Sequence, residues 1–257
     1  MIIDRFRLDG RTALVTGGGR GIGLAIAKAF AEAGATVLIA ELDTETGAAA
    51  TAEIAGSGGR AVFVPLDVAD PVVVRAAAAG VLAQHGAVDI LVNNAGICLN
   101  ATALDTTDEI WRRQMAVNLD GLFFCCREFG RAMVERGRGA IVNLASIAGV
   151  VDIRPQHHIA YSASKAAVAQ VSRVLAAEWA RSGVRVNAIA PGYVATDMPL
   201  AATRSDPGMV EAWMSMVPRG DFIQPDEIAA AVLFLASDAA SAVTGHLMMA
   251  DAGYTVW

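Results

Sequence analysis

The chain has 257 residues, 54% of them hydrophobic and 18% charged, with a formal net charge of −6. It can bury a sizeable core and is not disordered, and its acidic balance argues against nucleic acid as a partner. Its three cysteines, Cys98, Cys125 and Cys126, form no disulfide framework and point to a reducing cytoplasm. The charged start MIIDRFRLDGR lacks the apolar segment of a signal peptide. No window approaches about 18 uninterrupted apolar residues, so no membrane span is expected.

Short β-type runs alternate with longer Ala-rich helical stretches. Strand ALVT (13–16) leads through a Gly-rich turn into a helix over 22–34, where Ile22, Ile26, Ala29, Phe30 and Ala33 recur at helical spacing and Gly34 is the stop. Strand TVLIA (36–40) precedes a helix over 43–55, and strand AVFVPLD (61–67) precedes a helix ending near His85. Strand DILVNNAG (89–96) runs into a turn, and one long amphipathic helix is predicted over 107–137. Strand AIVNLAS (140–146), a helix from His158 to Arg181 and strand VRVNAIA (184–190) follow. An irregular stretch over 191–218, a helix from Pro225 to Ser237 and strand HLMMAD (246–251) complete the chain.

This is β-α repeated from end to end, without linker or low-complexity segment. The strands are apolar runs, as expected where helices cover both faces of a parallel sheet. Ligands of such sheets bind at the carboxyl ends of the strands. The length alone leaves one or two domains open, at about 150 residues per domain. The site residues below are interleaved from Gly17 to Thr196, so 1–257 is read as a single domain.

The first turn, Thr16-Gly17-Gly18-Gly19-Arg20-Gly21-Ile22-Gly23, lies between a strand and a helix. Glycines let the backbone approach a pyrophosphate, and a helix N-terminus offers free N–H groups to it. Glu41 ends the second strand, 18 residues after Gly23. A carboxylate there accepts from a ribose 2′-OH and repels a 2′-phosphate, so NAD is expected over NADP. Arg20 points the other way, or anchors the pyrophosphate. Asp67, followed by Val68, either accepts from the adenine amino group or caps the helix near Asp70. Asn93-Asn94-Ala95-Gly96 suits a turn beside the cofactor.

Tyr161 and Lys165 are spaced i to i+4 and share a helix face. An unperturbed tyrosine has a pKa of about 10, and a neighbouring ammonium lowers it. The pair is therefore a candidate acid/base unit for alcohol–carbonyl interconversion, with the Ser146 hydroxyl holding the substrate oxygen. Either residue alone reads as an ordinary helix residue; the joint pattern beside a nucleotide fingerprint carries the chemistry.

Thr16-Gly17-x-x-x-Gly21-x-Gly23, Asp67-Val68, Asn93-Asn94-Ala95-Gly96, Asn118-Leu119-Asp120-Gly121, Ser146, Tyr161-x-x-x-Lys165 and Pro191-Gly192 together resemble the short-chain dehydrogenase/reductase family, from Leu14 to Tyr254. The resemblance implies a Rossmann-type, doubly wound parallel seven-stranded sheet with helices on both faces. It implies that Tyr161 is the acid/base, that Lys165 also holds the nicotinamide ribose, and that Asn118 sustains a water-linked proton relay. Gly17, Arg20, Gly21, Ile22, Gly23, Glu41, Asp67, Val68, Asn94, Ala95 and Gly96 fall on its cofactor-binding positions. So do Pro191, Gly192, Val194 and Thr196, the last reaching the carboxamide or phosphates. It further implies a homotetramer in which the helices over 107–137 and 160–181 pair between subunits, with Trp257 near a second contact.

Within the family, RPQ (154–156), AAEWA (176–180), APGYVAT (190–196) and GYTVW (253–257) resemble polyol (galactitol-type) dehydrogenases. The substrate is expected to be a small molecule met by Ser146, Ala148, Ile153, His158, Tyr161, Tyr193 and Trp213. Ala148 and Ile153 are apolar, which favours a short diol, hydroxyketone or less polar secondary alcohol. Met198, Met209, Trp213, Met214 and Met216 suit an adaptable lid over about 192–218, or a short helix packed on the domain. Adjacent His157 and His158 diverge and make a poor metal pair, so no metal is expected. Cys125 and Cys126, among Phe123, Phe124 and Phe129, read as core or subunit contact. An NADPH-dependent 3-oxoacyl thioester reductase is the runner-up enzyme. It needs a basic patch, for which the lid offers only Arg204 and Arg219. A catalytically idle nucleotide sensor is the non-enzyme alternative.

Overall fold

The structure, a computed structural model, describes residues 1–196 and 207–256. Met198, Arg204 and Trp257 lie outside the described residues. Strands β1 (Thr12–Thr16), β2 (Thr36–Glu41), β3 (Arg60–Pro65), β4 (Ile90–Asn93), β5 (Gly139–Leu144), β6 (Val184–Pro191) and β7 (Leu247–Ala250) form one seven-stranded sheet. Its order is β3-β2-β1-β4-β5-β6-β7, and every pairing is parallel. The chain winds outward in opposite directions from the β1–β4 neighbours. That switch point opens the crevice in which such sheets bind ligands.

Helices cover both faces. In β1, Ala13 and Val15 pack with Ile26 and Phe30 of α1 (Gly21–Glu32) and with Ile228 and Val232 of α8 (Pro225–Ala236). Leu14, between them, faces the opposite layer with Phe129 and Met133 of α5 (Gly121–Arg136) and Val168 of α6 (Ile159–Trp179). One strand thus feeds two cores, which is why its sequence is an uninterrupted apolar run. Cys125 and Cys126 are fully buried in the second core.

Local chemistry sets the helix ends. Asp43 caps α2 (Thr44–Gly56) through the Thr46 N–H. Asp70 caps α3 (Pro71–His85) through Val72 and Val73, with Pro71 at its first position. Asp67 is therefore not that cap; its Oδ1 accepts from Ala69 N–H at 2.9 Å in the preceding loop.

Two expectations need correction. The helix over 107–137 is interrupted: α4 (Asp108–Met115) passes through a π-turn, Ala116–Asp120, into α5. The π-turn buries Asn118 against the following site. The stretch read as irregular contains α7, Pro207–Ser215.

Candidate active site

The glycine turn is built so that only glycine fits. Gly17 and Gly21 have φ of 61° and 55°, which disfavour side chains. A Cβ on Gly23 would lie 2.0 Å from the Gly17 carbonyl oxygen. The turn is tied to the end of β4. Asn94 Nδ2 donates to the Thr16 and Gly17 carbonyls at 3.0 and 2.9 Å. Thr16 Oγ1 accepts from the Asn94 and Ala95 N–H groups at 3.0 and 3.1 Å. The first turn of α1 has no side-chain cap and no acidic residue, which leaves its N–H groups open to an anion.

A cleft of ≈ 860 Å³ runs along these strand ends. Gly17, Arg20, Gly21 and Ile22 form its floor, Asn94, Ala95 and Gly96 one wall, and Glu41, Asp67 and Val68 the far end. Gly23 lies beneath the turn, packed under Gly17 and Asn94. Glu41 is fixed by the backbone: Oε2 accepts from Gly19 N–H at 3.2 Å and Oε1 from Leu42 N–H at 2.9 Å. Arg20 is exposed. Sequence reasoning missed Arg113 and Val117, which also line the cleft; nothing in the sequence shows that α4 and the π-turn close over it.

Gly96, Ile22 and Thr196 are shared with a second cavity of ≈ 370 Å³, at the low end for small-molecule sites. Ser146, Tyr161, Lys165, Pro191, Gly192 and Val194 line it. Ser146 lies just past β5, where its Oγ accepts from Ala148 N–H at 3.1 Å and starts a 3₁₀ turn, Ile147–Gly149. Tyr161 and Lys165 occupy the first turns of α6, with Lys165 Nζ 5.7 Å from the phenol ring centre. The ammonium donates to the Leu144 carbonyl at 2.7 Å.

Burial pushes the Tyr161 phenol up to about 12, with the nearby Cys98 thiol adding to the rise and a hydrogen bond with Ser146 opposing it. Burial also brings Lys165 down to about 8. The lowering of the phenol expected from Lys165 is not found in the free protein: burial raises the phenol, and the ammonium donates to the Leu144 carbonyl.

Asn118 lines neither cavity. Its Oδ1 accepts from Ile97 N–H at 2.8 Å, and its Nδ2 donates to the Ile97 carbonyl at 2.9 Å and to Ser164 Oγ at 3.1 Å. The side chain braces the loop after β4 against α6, beside Lys165.

Of the expected substrate residues, Ile153, His158, Tyr193 and Trp213 join Ser146 and Tyr161 around the second cavity. Ala148 does not. The 3₁₀ turn carries it away from the cavity, and it lines a shallow surface pocket with Val151 and His157. Gln156, from the RPQ stretch, and Met209, one of the lid methionines, also line the cavity, as do Cys98 and Asn100, which no sequence pattern marked. Trp213 of α7 stacks on Tyr193 at 4.9 Å, and Tyr254 meets Tyr193 edge-on at 5.8 Å. α7 is therefore both packed on the domain and part of the cavity wall. Both adjacent histidines line that surface pocket, and His158 also lines the cavity. Burial holds the His158 pKa below its ordinary value, with Asp152 opposing. Burial also pushes the Cys98 thiol up to about 11 and Cys125 up to about 12, which leaves both poor nucleophiles.

Among the described residues, no helix is long and apolar enough to cross a membrane. Residues 17–255 match the family model described as Enoyl-(Acyl carrier protein) reductase. The chain is 53% identical over 252 residues to the galactitol 2-dehydrogenase (L-tagatose-forming) of Cereibacter sphaeroides, covering 98% of each chain. The crystal structure of gox2181 superposes with a TM-score of 0.98 at 45% identity, covering 100% of each chain. That of a gluconate 5-dehydrogenase from Burkholderia cenocepacia, in complex with NADP and tartrate, superposes at 0.94 and 38% identity, again covering 100% of each. Sheet order, glycine turn and sequence similarity along the whole chain agree: the protein belongs to the short-chain dehydrogenase/reductase family, in its branch of oxidoreductases acting on secondary alcohols.

Proposed function

We propose that the protein is an NAD-dependent dehydrogenase interconverting a secondary alcohol of a polyol, diol or hydroxyketone and its ketone. One observation carries this reading: Ser146, Tyr161 and Lys165 converge on a small cavity that opens into a cleft ended by the fixed carboxylate of Glu41. The cleft fits a dinucleotide, because the glycine turn leaves the space and the free N–H groups that a pyrophosphate needs. Gly17, Arg20, Gly21 and Ile22 would hold the phosphates, Asp67 and Val68 the adenine, and Thr196 and Val194 the nicotinamide end. Bound there, a nicotinamide dinucleotide supplies the hydride acceptor or donor.

The chain's own residues handle the proton. Ser146 Oγ orients the substrate oxygen, and Tyr161 Oη takes its proton as the carbinol carbon is oxidised, or returns it on reduction. Lys165 stabilises the phenolate when its ammonium turns from the Leu144 carbonyl, and Asn118 holds the Ile97 loop and α6 at the spacing this requires. Glu41 supports NAD over NADP by meeting the ribose hydroxyls, although the gluconate 5-dehydrogenase of this fold is solved in complex with NADP.

Of the two lid arginines that the 3-oxoacyl thioester alternative would use, the described one, Arg219, is committed to Asp221 and Glu227. We also propose a homotetramer in the cytoplasm. Trp111, Phe123, Ile159 and Val174, all on α4, α5 and α6, are at least 40% exposed in the isolated chain and suit burial between subunits. A monomeric mass in solution would refute that assembly.

The test is a panel of secondary alcohols and ketones, run with NAD and with NADP and followed at the nicotinamide absorbance. NAD-linked turnover of a polyol or diol is expected. Turnover confined to NADPH and 3-oxoacyl thioesters would replace this reading, and silence across the panel would favour the nucleotide sensor.

A further inference from the structure

Among the described residues, one residue other than glycine has a positive φ: Ala252, at 53°. It lies in the turn that follows β7, between Asp251 and Gly253. Such a backbone costs free energy for an L side chain and persists where its surroundings impose it. Asp251 imposes it here. The residue is 7% exposed, and both of its carboxylate oxygens fold the turn. Oδ1 accepts from Gly253 N–H at 3.1 Å, and Oδ2 accepts from Thr255 N–H at 2.9 Å and from the Thr255 hydroxyl at 2.6 Å.

This turn supports one wall of the substrate cavity from behind. Asp251 backs onto Gly192, where a Cβ would lie 2.9 Å from Asp251 Cα. Tyr254, buried, meets the Tyr193 ring edge-on at 5.8 Å, and Tyr193 stacks on Trp213 at 4.9 Å. The turn also grips the segment that leaves α7. The Ala252 carbonyl accepts from Arg219 N–H at 3.4 Å, and the Tyr254 hydroxyl donates to Met216 Sδ at 3.8 Å. Gly253 is pressed against Pro218, whose Cγ a Cβ would meet at 2.9 Å. Gly192, Tyr193 and Trp213 line the cavity; Asp251 and Tyr254 do not. Tyr193, Trp213 and Tyr254 belong with Ile147, Ile153 and Val217 to an apolar cluster distinct from the two that flank the sheet. The wall is therefore held by this cluster rather than by the packing of the sheet.

We infer that Asp251 and Tyr254 are positioning residues for the substrate: Asp251 folds the turn, and through it Tyr254 holds Tyr193 and the Trp213 of α7 against the cavity. The inference rests on the dehydrogenase reading above. Ser146 stands just past β5, and Tyr161 and Lys165 stand on α6, outside this turn. The cradle for the pyrophosphate is built from β1 and α1. The wall of Tyr193 and Trp213 meets the part of the substrate that does not react. Contacts of that kind act alike on the ground state and the transition state, so losing them raises KM and leaves kcat in place. A turn that served stability alone would lower the melting midpoint and leave KM where it was.

The experiment measures KM and kcat with NAD⁺ for the polyol or diol that the panel above shows is turned over best, together with NAD⁺ affinity and the melting midpoint. The proteins are the wild type, Asp251→Asn, Tyr254→Leu and Tyr254→Phe. Asp251→Asn keeps the size of the side chain and cannot accept at both ends. Tyr254→Leu keeps apolar volume and removes the ring, whereas Tyr254→Phe keeps the ring. Asp251→Asn and Tyr254→Leu should each raise KM by about tenfold or more, with kcat within about threefold and NAD⁺ affinity within about twofold of the wild type. Tyr254→Phe should stay close to the wild type in all three. Should Asp251→Asn fail to fold, Tyr254→Leu against Tyr254→Phe carries the test alone. A KM that stays put in the folded variants, or that rises only in step with a loss of NAD⁺ affinity, overturns the inference and leaves the dehydrogenase reading standing. Absence of turnover by the wild type on every alcohol, with NAD⁺ still bound, overturns the dehydrogenase reading and this inference with it.

Discussion

Glu41→Gln isolates the charge that is proposed to set cofactor preference. The amide keeps the length of the side chain and one oxygen for Gly19 or Leu42 N–H, so the loop after β2 should hold its shape. What is lost is a carboxylate fixed at the end of the cleft where a 2′-phosphate would lie. A carboxylate and a phosphate dianion about 4 Å apart repel by about 2 kcal/mol even in a water-like dielectric. That is about a thirtyfold change in affinity, and partial exclusion of water raises it. Glu41 is half-buried, which makes the water-like figure the lower bound. The assay compares kcat/KM for NAD⁺ and NADP⁺ on one polyol at low ionic strength. The NAD⁺-to-NADP⁺ ratio should fall by about thirtyfold or more, chiefly through better use of NADP⁺. A ratio that moves by less than about twofold would refute the ribose-reading role of Glu41 and shift attention to Arg20.

Two further outcomes follow from the geometry. Lys165→Met removes the cation nearest the Tyr161 phenol; alcohol oxidation needs the deprotonated phenol and therefore rises with pH, so this limb should move upward by about one pH unit or more. A pH–rate profile checks it, and an unmoved limb would mean that Lys165 does not act on the phenol. Gly23→Ala places a methyl 2.0 Å from a backbone oxygen that has little room to move. It should cost about 1–3 kcal/mol of stability and more than about tenfold in NAD⁺ affinity, read by thermal melting and cofactor titration.

Much of the fold is legible in the sequence because its signals are local. Apolar runs such as TVLIA need two covered faces, and Gly17 to Gly23 need a backbone that side chains would block. Tyr161 and Lys165 announce themselves by sharing a helix face. The less legible features depend on tertiary contacts. The π-turn at Ala116–Asp120 arises where Asn118 must reach both Ile97 and Ser164, and no periodicity records that demand. Asp67 and Asp70 are equivalent as candidate caps until the loop geometry chooses Asp70, although Pro71 at the first helical position was a usable clue. Pro207 could likewise have announced α7. Ala148 and Gln156 lie in a stretch without period; which of them lines the cavity is decided by a 3₁₀ turn and by the Tyr193 hydroxyl, far along the chain, which donates to the Arg154 carbonyl.

The measurement that bears most directly on the account is turnover of a polyol by Tyr161→Phe, with NAD⁺ binding measured on the same preparation. The substitution removes one hydroxyl from the cavity. The account predicts a loss of about 10²–10⁴-fold in kcat with NAD⁺ affinity nearly unchanged. Turnover close to wild type would contradict it, because a group other than Tyr161 would then have to exchange the substrate proton.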